Sequence, residues 1–507
     1  IIDDGIDIDK IFVVTFTNAA AAEMRERILK ALYKEIDKNP LDTRLRKQTV
    51  LLNKSSICTI DSFCLDVIRN NFFEIGVSAN FRVADNTELE LIKQEALEDI
   101  FEELYTINDE KFNKLVELYT GYRDDTKLKE IVLKIYNYIQ SAPFPIEWLE
   151  EKIKIFKCEN IKDFSETIWG KILIKNYKDE ILNAINILEN EKRKMDRFEE
   201  LSKFQLTISD DINQLKDILV LTESWDKTYE YLQNFKFKTW PIDRKVVNNQ
   251  KDETKKVRET VKKRVTQANA KTFIYNTQEA IDDMNQMYPI LENLKYVILK
   301  FDDKFKEMKS QKNIMDFSDI EHLALEILLR KNENGEYKKT DVAKRYQDKF
   351  KEIAIDEYQD SNLVQEYILK SISDEKNIFM VGDVKQSIYR FRQARPELFL
   401  EKYENYGLEK NELGQKIKLF KNFRSRKNIL DITNLVFQDI MSKEFGEIEY
   451  DESEYLNLAA EYKDPEEEKS NYAGLAEINI IDLKEEIDEN DEQESSKEIL
   501  EKSEVEA

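Results

Sequence analysis

Short apolar runs alternate along the chain with stretches of helical periodicity. The run from Ile11 to Thr17 is apolar and β-branched, which is typical of a buried strand in a parallel sheet. Helix-forming residues from 19 to 32 follow it, and Asn18 is the expected cap. Residues 56–60 lead in the same way into a helix that reaches Ile68. Two strand-to-helix steps are therefore predicted near the N-terminal end of the chain.

The pattern changes between residues 86 and 312, where long amphipathic stretches dominate. Residues 88–105 and 127–140 are examples, and prolines at 143, 145 and 241 interrupt the periodicity. This region is predicted to be an all-helical insertion.

Short apolar strands resume after the helical region. Residues 353–355 lead into Asp356, and residues 378–381 lead into Gly382. Further strands are predicted at 417–419 and at 476–481. Ligands of open α/β sheets bind at the carboxyl ends of the strands, so the polar residues that follow these strands are candidates for a site.

Length and charge narrow the possible classes of protein. A chain of 507 residues should form more than one domain. The 103 acidic and 79 basic residues give a net charge of −24, which argues against a protein that coats nucleic acid but is compatible with a locally basic channel. Residues 244–264 hold nine basic and three acidic residues, either as a solvated helix face or as a contact for DNA or a partner.

Targeting and metal-binding signals are weak. The chain has no apolar run long enough for a membrane span and no secretory pattern at its first residues, so we expect no membrane partner and a cytoplasmic location. Three cysteines and one histidine, His322, cannot supply a disulfide framework or a Cys/His zinc site. His322 falls on a predicted helix and is interpreted as structural.

The pair Asp356 and Glu357 follows an apolar strand, an arrangement that suits nucleotide hydrolysis. The Asp can hold Mg²⁺ through water, and the adjacent Glu can orient and deprotonate the attacking water. A cluster of acids at a helix N-terminus is the alternative interpretation.

The segment from 381 to 392 adds a second set of candidates. Gln386 can hydrogen-bond a γ-phosphate or its attacking water, and Tyr389 and Phe391 offer flat faces on which single-stranded bases can stack. Alternatively, the two aromatic residues belong to the core.

Several ordered segments together resemble the motor motifs of UvrD-like superfamily 1 helicases. Besides Ile355–Asp360 and Val381–Arg392, they comprise Thr15–Met24, Thr59–Cys64, Met315–Asp319 and Asn422–Ser425. The resemblance extends from Ile11 to about Ile432. Within the family, the continuation through Arg395-Pro396-Glu397 is most similar to AddA subunits of the bacterial AddAB (RecBCD-like) helicase–nucleases. The position that is often His in relatives is Asp61 here.

The resemblance implies a role for individual residues. Asp356 would bind the Mg²⁺ of MgATP, Glu357 would be the general base, Gln386 would sense the γ-phosphate and Arg424 would act as an arginine finger. The residues that would line the track of single-stranded DNA are Thr17, Asn18, Ser62, Phe63, Tyr389, Phe391 and Arg392.

The resemblance also implies a fold and a larger function. The fold class is α/β: a RecA-like P-loop NTPase domain with a parallel sheet, a large helical insertion and the start of a second RecA-like domain. The function would be 3′-to-5′ translocation on DNA from a duplex end, in double-strand break repair and homologous recombination, and the partner would be an AddB-like protein. The predicted domain ranges are 1–85 and 313–412 for the first RecA-like domain, 86–312 for the helical accessory insertion, 413–484 for the start of the second RecA-like domain and 485–507 for an acidic linker or helix start.

Two family features are not found in the sequence. The ten glycines do not form a Gly-x-x-x-x-Gly-Lys phosphate cradle, and no later motor motif follows Arg424. We expect the cradle to lie upstream of Ile1, exonuclease activity to belong to a longer protein, and these residues alone not to hydrolyse ATP. The alternatives are a non-hydrolysing scaffold that binds DNA or a partner, and a simple repair helicase without a nuclease.

Overall fold

The computed structural model describes most of the chain. The described residues are 1–2, 5–78, 80–120, 124–243, 245–409, 414–443, 445–462 and 477. The acidic segment at 485–507 lies outside them, and so does the strand predicted at 476–481 except for residue 477. The chain divides into two compact units, of which unit 1 comprises Ile1–Ile353 and Asn362–Asn377 and unit 2 comprises Ala354–Ser361 and Ile378–Ala507.

Helices make up most of unit 1. Its α-helices are α1 (Asn18–Lys38), α2 (Thr43–Leu51), α3 (Ile60–Asn71), α4 (Asn86–Thr106), α5 (Glu110–Tyr119), α6 (Thr126–Ile139), α7 (Pro145–Lys154), α8 (Ile168–Met195), α9 (Ser202–Leu221), α10 (Trp225–Gln233), α11 (Asn249–Thr272), α12 (Thr277–Gln311), α13 (Phe317–Leu328), α14 (Asp341–Lys349) and α15 (Leu363–Ile372). Unit 2 contains α16 (Pro396–Asn405) and α17 (Lys427–Ile440).

The strands are short. They are β1 (Ile11–Val14), β2 (Ser56–Cys58), β3 (Arg82–Val83), β4 (Ile314–Met315), β5 (Leu329–Lys331), β6 (Tyr337–Lys339), β7 (Glu352–Ile355), β8 (Ile378–Met380), β9 (Lys421–Asn422) and β10 (Asn457–Leu458).

The sheet of unit 1 has the strand order β2-β1-β7. Strands β1 and β2 are parallel, with Val13 opposite Ile57. On the other side of β1, the Lys351 N–H donates to the Lys10 carbonyl at 2.8 Å. The fully buried ring of Phe12 lies between Phe63 and Phe350, with centroid distances of 4.5 and 5.0 Å. A parallel sheet with an apolar centre confirms the predicted α/β class.

The N-terminus of α1 differs by one residue from the prediction. Thr17, not Asn18, is the cap, because its backbone is extended and its Oγ1 accepts from the Ala20 N–H at 3.1 Å. Asn18 is the first helical residue. The prediction of Asn18 as the cap was therefore wrong.

The described residues between Asn86 and Gln311 form nine α-helices around two apolar cores. The first core lies between α4, α5, α6, α7 and the second half of α12. The second core lies between α8, α9, α10, α11 and the start of α12. Helix α12 spans 35 residues, contains Pro289 and joins the two cores. None of the helices in the described part of the chain is both long and apolar enough to cross a membrane.

Unit 2 contains the end of β7 beside β8, where the Val381 N–H donates to the Ile355 carbonyl at 2.8 Å. Its other two strands, β9 and β10, are parallel, with Asn422 opposite Leu458. The strand predicted at 417–419 is not formed, and β9 begins at Lys421. Ile417 and Leu419 are exposed, so their apolar side chains do not contribute to a buried strand.

Candidate nucleotide and nucleic-acid site

The turn after β7 carries the two predicted catalytic acids. Asp356 is half-buried, and its Oδ1 accepts from the Glu357 N–H at 3.2 Å. Glu357 has φ +52° and ψ +43°, a left-handed conformation that is uncommon for a residue with a side chain. The Tyr358 N–H donates to the Val381 carbonyl at 2.9 Å and holds the turn in place. This turn leaves Glu357 exposed at the end of the strand.

A buried glutamine links this turn to the turn after β8. Gln359 Nε2 donates to Glu357 Oε2 at 2.7 Å, and Gln359 Oε1 accepts from the Asp383 N–H at 3.0 Å. A Cβ atom on Gly382 would lie 2.6 Å from Gln359 Oε1, so this position has no room for a side chain. Gln359 was not among the predicted site residues. The sequence signal for Gln359 is its position as a polar residue among the acids that follow β7.

Gln386 ends a short 3-10 helix, Val384–Gln386, that is capped by Asp383. Asp383 Oδ2 accepts from Gln386 Nε2 at 3.0 Å. Asp383 Oδ1 accepts from the backbone N–H and from the Nζ of Lys385, at 3.1 and 2.9 Å. Gln386 is exposed, and the contact with Asp383 fixes its amide.

Arg424 lies in a separate turn of unit 2. The side chain of Asn422 shapes this turn, because its Oδ1 accepts from the N–H groups of Arg424 and Ser425, both at 2.9 Å. Arg424 itself is exposed. The side chain is therefore accessible to a ligand.

The acids at these turns fit a magnesium ion that is shared with a phosphate. In the described part of the chain, no group of three or more His, Cys, Asp or Glu residues is arranged to hold a metal alone. Mg²⁺ usually binds through one or two carboxylates together with substrate phosphates and water, and Asp356 provides such a carboxylate. Nearby in sequence, Asp360 Oδ1 is buried without a hydrogen-bond partner. Burial and the charge of Glu357 raise the pKa of Asp360.

Unit 1 contains a polar cavity of about 340 Å³ beside the first predicted DNA contacts. Asn18 and Ser62 both line it, together with Ala21, Arg25, Ile57, Cys58, Leu65, Asp66 and Arg69. Thr59 caps α3, and its Oγ1 lies 2.9 Å from Ser62 Oγ. The structure thus brings two predicted DNA-binding residues to one cavity that also contains arginines. Thr17 is exposed at the start of α1.

Unlike Asn18 and Ser62, Phe63 does not line this cavity. Its side chain is 3% exposed and packs against Phe12, Tyr346 and Phe350. A ring enclosed by other rings cannot stack on a base, so the predicted DNA contact of Phe63 does not fit the structure.

Unit 2 contains the aromatic candidates. Phe391 is 74% exposed, and its ring centroid is 5.9 Å from that of the half-buried Tyr389. The guanidinium of Arg392 lies over both rings, 5.1 Å from Tyr389 and 5.6 Å from Phe391. The interpretation of Phe391 as a core residue is therefore wrong. The cluster presents a cation and an aromatic face to solvent.

A buried lysine that was not among the predicted site residues forms ion pairs with two acids of the segment Met315–Asp319. Lys309, at the end of α12, is 3% exposed, and its Nζ lies 2.8 Å from Asp316 and 2.6 Å from Asp319. Burial alone would lower the pKa of Lys309, but the charges of Asp319 and Asp316 raise it. The two acids also form a capping box at the start of α13.

Two further residues have structural roles. His322 lies on α13, with its ring nitrogens 2.8 Å from the Ser318 carbonyl and 2.9 Å from the Ala142 carbonyl. These contacts agree with the structural interpretation of this histidine. In the basic stretch 244–264, Arg258 is buried in an ion pair with Asp211, whereas Lys255, Lys256, Lys263 and Arg264 are exposed on α11.

Comparisons with known proteins relate the chain to a helicase family. Residues 1–407 match the model of the UvrD/REP helicase N-terminal domain. The chain is 42% identical over 499 residues to a protein of Clostridioides difficile, covering 96% of this chain and 39% of the relative. It is 43% identical over 486 residues to a protein of Thermoanaerobacter sp. X514, covering 95% and 39%. Both relatives are named as a subunit of an ATP-dependent helicase/nuclease. The chain thus spans about two-fifths of the length of these relatives.

Proposed function

The chain belongs to the UvrD/REP helicase family, and from this premise we propose that it supplies the hydrolytic and strand-contacting residues of an ATP-driven DNA motor. The contact that carries the proposal is the double hydrogen bond of Gln359 to Glu357 and Asp383. These two bonds fix the position of the exposed Glu357 carboxylate relative to the turn that ends in Gln386. The two groups follow the neighbouring strands β7 and β8.

Each residue of this group has a proposed role in hydrolysis. Asp356 would hold Mg²⁺, which when bound offsets the negative charge of the phosphates. Glu357 would accept a proton from the attacking water, and its exposed side chain is held by the hydrogen bond from Gln359. Gln386 would leave Asp383 to contact the γ-phosphate, and the exposed Arg424 would stabilise the charge that develops there.

The strand-contacting residues lie in both units. In unit 1 we assign Thr17, Asn18 and Ser62 to the DNA track, with Arg25 and Arg69 of the same cavity as sources of positive charge. In unit 2 the track would include the residues of the aromatic cluster, which are Tyr389, Phe391 and Arg392. Stacking on aromatic rings and attraction of phosphates by arginine are the two contacts by which single strands are bound without sequence preference. Phe63 would support Ser62 from the core.

The names of the relatives are the basis for proposing a wider function. We propose that the chain forms part of the AddA-type subunit of a helicase–nuclease, which moves 3′ to 5′ on DNA from a duplex end. It would pair with an AddB-like partner and act in double-strand break repair and homologous recombination in the cytoplasm. Relatives about 40% identical over nearly the whole chain are named for an ATP-dependent helicase/nuclease, which supports this over a repair helicase without a nuclease.

A binding titration tests the strand-contacting part of the proposal. We expect the chain to bind a fluorescent oligothymidylate of about 20 nucleotides, with an affinity that falls as salt is raised. Asn18→Asp should weaken binding several-fold by placing a negative charge in the cavity. Asn39→Asp, at the other end of the same helix, should leave binding unchanged. Equal affinities of the two variants would refute the assignment of this cavity to DNA.

A further inference from the structure

Glu454 of unit 2 is the centre of a polar cluster that joins distant parts of the sequence. Its Oε1 accepts from the Tyr403 hydroxyl at 2.6 Å and from Lys418 Nζ at 2.9 Å, and its Oε2 lies 3.3 Å from Lys385 Nζ. The side chains of Glu454 and Lys385 are only 13% and 14% exposed. Charge-assisted hydrogen bonds in such shielded surroundings are stronger than neutral ones and tightly fix the groups that make them.

The pKa values of Glu454 and Lys385 are shifted in the directions that keep both groups charged near neutral pH. Burial alone would raise the pKa of Glu454, but the hydrogen bonds from Tyr403 and Lys418 lower it below its ordinary value. Burial alone would likewise lower the pKa of Lys385, but the charges of Asp383 and Glu454 raise it. The carboxylate and the ammonium are therefore both charged over a wide range of pH.

One branch of the cluster leads to Gln386. Lys385 Nζ lies 2.9 Å from Asp383 Oδ1, and the other oxygen of Asp383 accepts from Gln386 Nε2 at 3.0 Å. Glu454 thus fixes Lys385, Lys385 fixes the carboxylate of Asp383, and this carboxylate holds the amide of Gln386.

The other branch leads to the turn that carries Arg424. The chain continues from Glu454 into β10, which pairs with β9, and β9 ends at Asn422. The link is reinforced by Asn434 of α17, whose Oδ1 accepts from the Leu456 N–H at 2.9 Å and from the Tyr450 hydroxyl at 2.6 Å. Asn422 in turn accepts from the N–H of Arg424.

We propose that Glu454 is a positioning residue that couples the placement of Gln386 to that of the Arg424 turn. The inference rests on the proposed function, in which both side chains face the γ-phosphate, and it adds a residue outside the segments that resemble family motifs. Loss of the Glu454 carboxylate would release Lys385, loosen Asp383 and leave Gln386 without a fixed orientation.

Hydrogen exchange measured by mass spectrometry on the 507-residue chain tests the coupling without nucleotide. In Glu454→Gln, which preserves size and can still accept from Tyr403, we expect the amides of Lys385, Gln386 and Ser387 to exchange about tenfold faster or more, since a hydrogen bond to a charged group is lost. The amides of Arg424 and Ser425 should also exchange faster. Glu452→Gln removes the same charge from an exposed position two residues away and should change nothing.

A double-mutant cycle separates coupling from general loosening. Lys385→Met removes the other partner of the contact between Lys385 and Glu454. In the double variant with Glu454→Gln, the amides of residues 385–387 should therefore exchange no faster than in either single variant. Additive effects, or unchanged exchange at residues 385–387 in Glu454→Gln, would overturn the inference. Exchange in α4 to α12 serves as the check that unit 1 is intact in every variant.

Kinetics distinguish this inference from the proposed function. In a longer version of the chain that hydrolyses ATP, Glu454→Gln should lower kcat several-fold with little change in KM for ATP, and Lys385→Arg should retain the activity that Lys385→Met loses. Normal kcat in Glu454→Gln would refute the positioning role and leave the motor assignment standing. Absence of hydrolysis in the longer wild-type chain would refute the motor assignment, while the exchange cycle would still decide the coupling.

Discussion

Gln359 and Glu357 are joined by a hydrogen bond of 2.7 Å between the amide of the first and the carboxylate of the second. Glu357 lies in a left-handed turn, which costs about 1–3 kcal/mol for a residue with a side chain. The bond from a buried neighbour, which also accepts from the Asp383 N–H, helps to hold this turn. The proposed general base is therefore supported by the residues immediately around it.

The close approach of Gly382 to Gln359 gives the first prediction. Gly382→Ala should lower the free energy of unfolding by about 1–3 kcal/mol, because the new methyl group would overlap Gln359 Oε1. Chemical denaturation followed by circular dichroism measures the change. If the overlap is the cause, adding Gln359→Ala to Gly382→Ala should cost less than the two single changes added together. An unaltered stability of Gly382→Ala would contradict this.

The second prediction concerns the buried lysine of α12. Lys309→Met should destabilise the protein by about 3–5 kcal/mol, because Asp316 and Asp319 would lose the buried ammonium that pairs with both of them. Lys304→Met removes a lysine of the same helix from a more exposed pair with Asp99 and should cost no more than about 1 kcal/mol. Thermal unfolding of both variants gives the comparison, and equal shifts of Tm would show that burial is not the deciding factor.

The third prediction is a pH dependence of stability. Glu321 is buried, and burial raises its pKa from 4.5 to about 7, with Asp61 adding to the shift and hydrogen bonds from Gln365 and Asn362 opposing it. Between these two values the folded state keeps a proton that the unfolded state has lost. The free energy of unfolding should therefore fall as pH rises from about 4.5 to about 7, by at most about 1.4 kcal/mol per pH unit.

Denaturation at several pH values checks this slope. Glu321→Gln should flatten it, because the side chain no longer titrates. Glu326→Gln, an exposed position on the same helix, should leave it as in the wild type. A slope that persists in Glu321→Gln would assign the proton to another group.

The fourth prediction concerns stacking. Phe391→Ala should weaken binding of single-stranded DNA by about 5- to 150-fold, the range expected for one lost base stack, without loss of stability. Phe445 is a similarly exposed phenylalanine of unit 2, and Phe445→Ala should bind as the wild type does. Titration by fluorescence anisotropy measures both, and unchanged affinity of Phe391→Ala would exclude the aromatic cluster from the DNA track.

Much of this arrangement could be predicted from local sequence. The acids after β7 and Gln386 after β8 follow apolar runs, and a short apolar run is a local signal. The cap of α1 was misplaced because Thr and Asn are both good caps, and the backbone angles of Thr17 decide between them. The strand predicted at 417–419 failed because local apolarity does not show whether a segment finds a buried partner.

The contacts that could not be predicted are those between distant residues. Phe63 looks like other aromatic candidates in sequence, and only its packing against Phe12 and Phe350 makes it a core residue. The pairing of Lys309 with Asp319 depends on how α12 meets α13. Glu454 is 69 residues from Lys385, and no periodic pattern connects them.

The measurement that tests the motor assignment most directly is DNA-stimulated ATP hydrolysis by a version of this chain extended to include the phosphate cradle and the second motor domain that the proposed function requires. The 507 residues alone serve as the comparison, and Glu352→Gln, an exposed acid on the strand that precedes the Glu357 turn, serves as the control variant. We expect hydrolysis that single-stranded DNA stimulates in the longer chain, persists in Glu352→Gln and is lost in Glu357→Gln while DNA binding remains. Hydrolysis that survives Glu357→Gln, or a longer chain that binds DNA without hydrolysing ATP, would contradict the assignment.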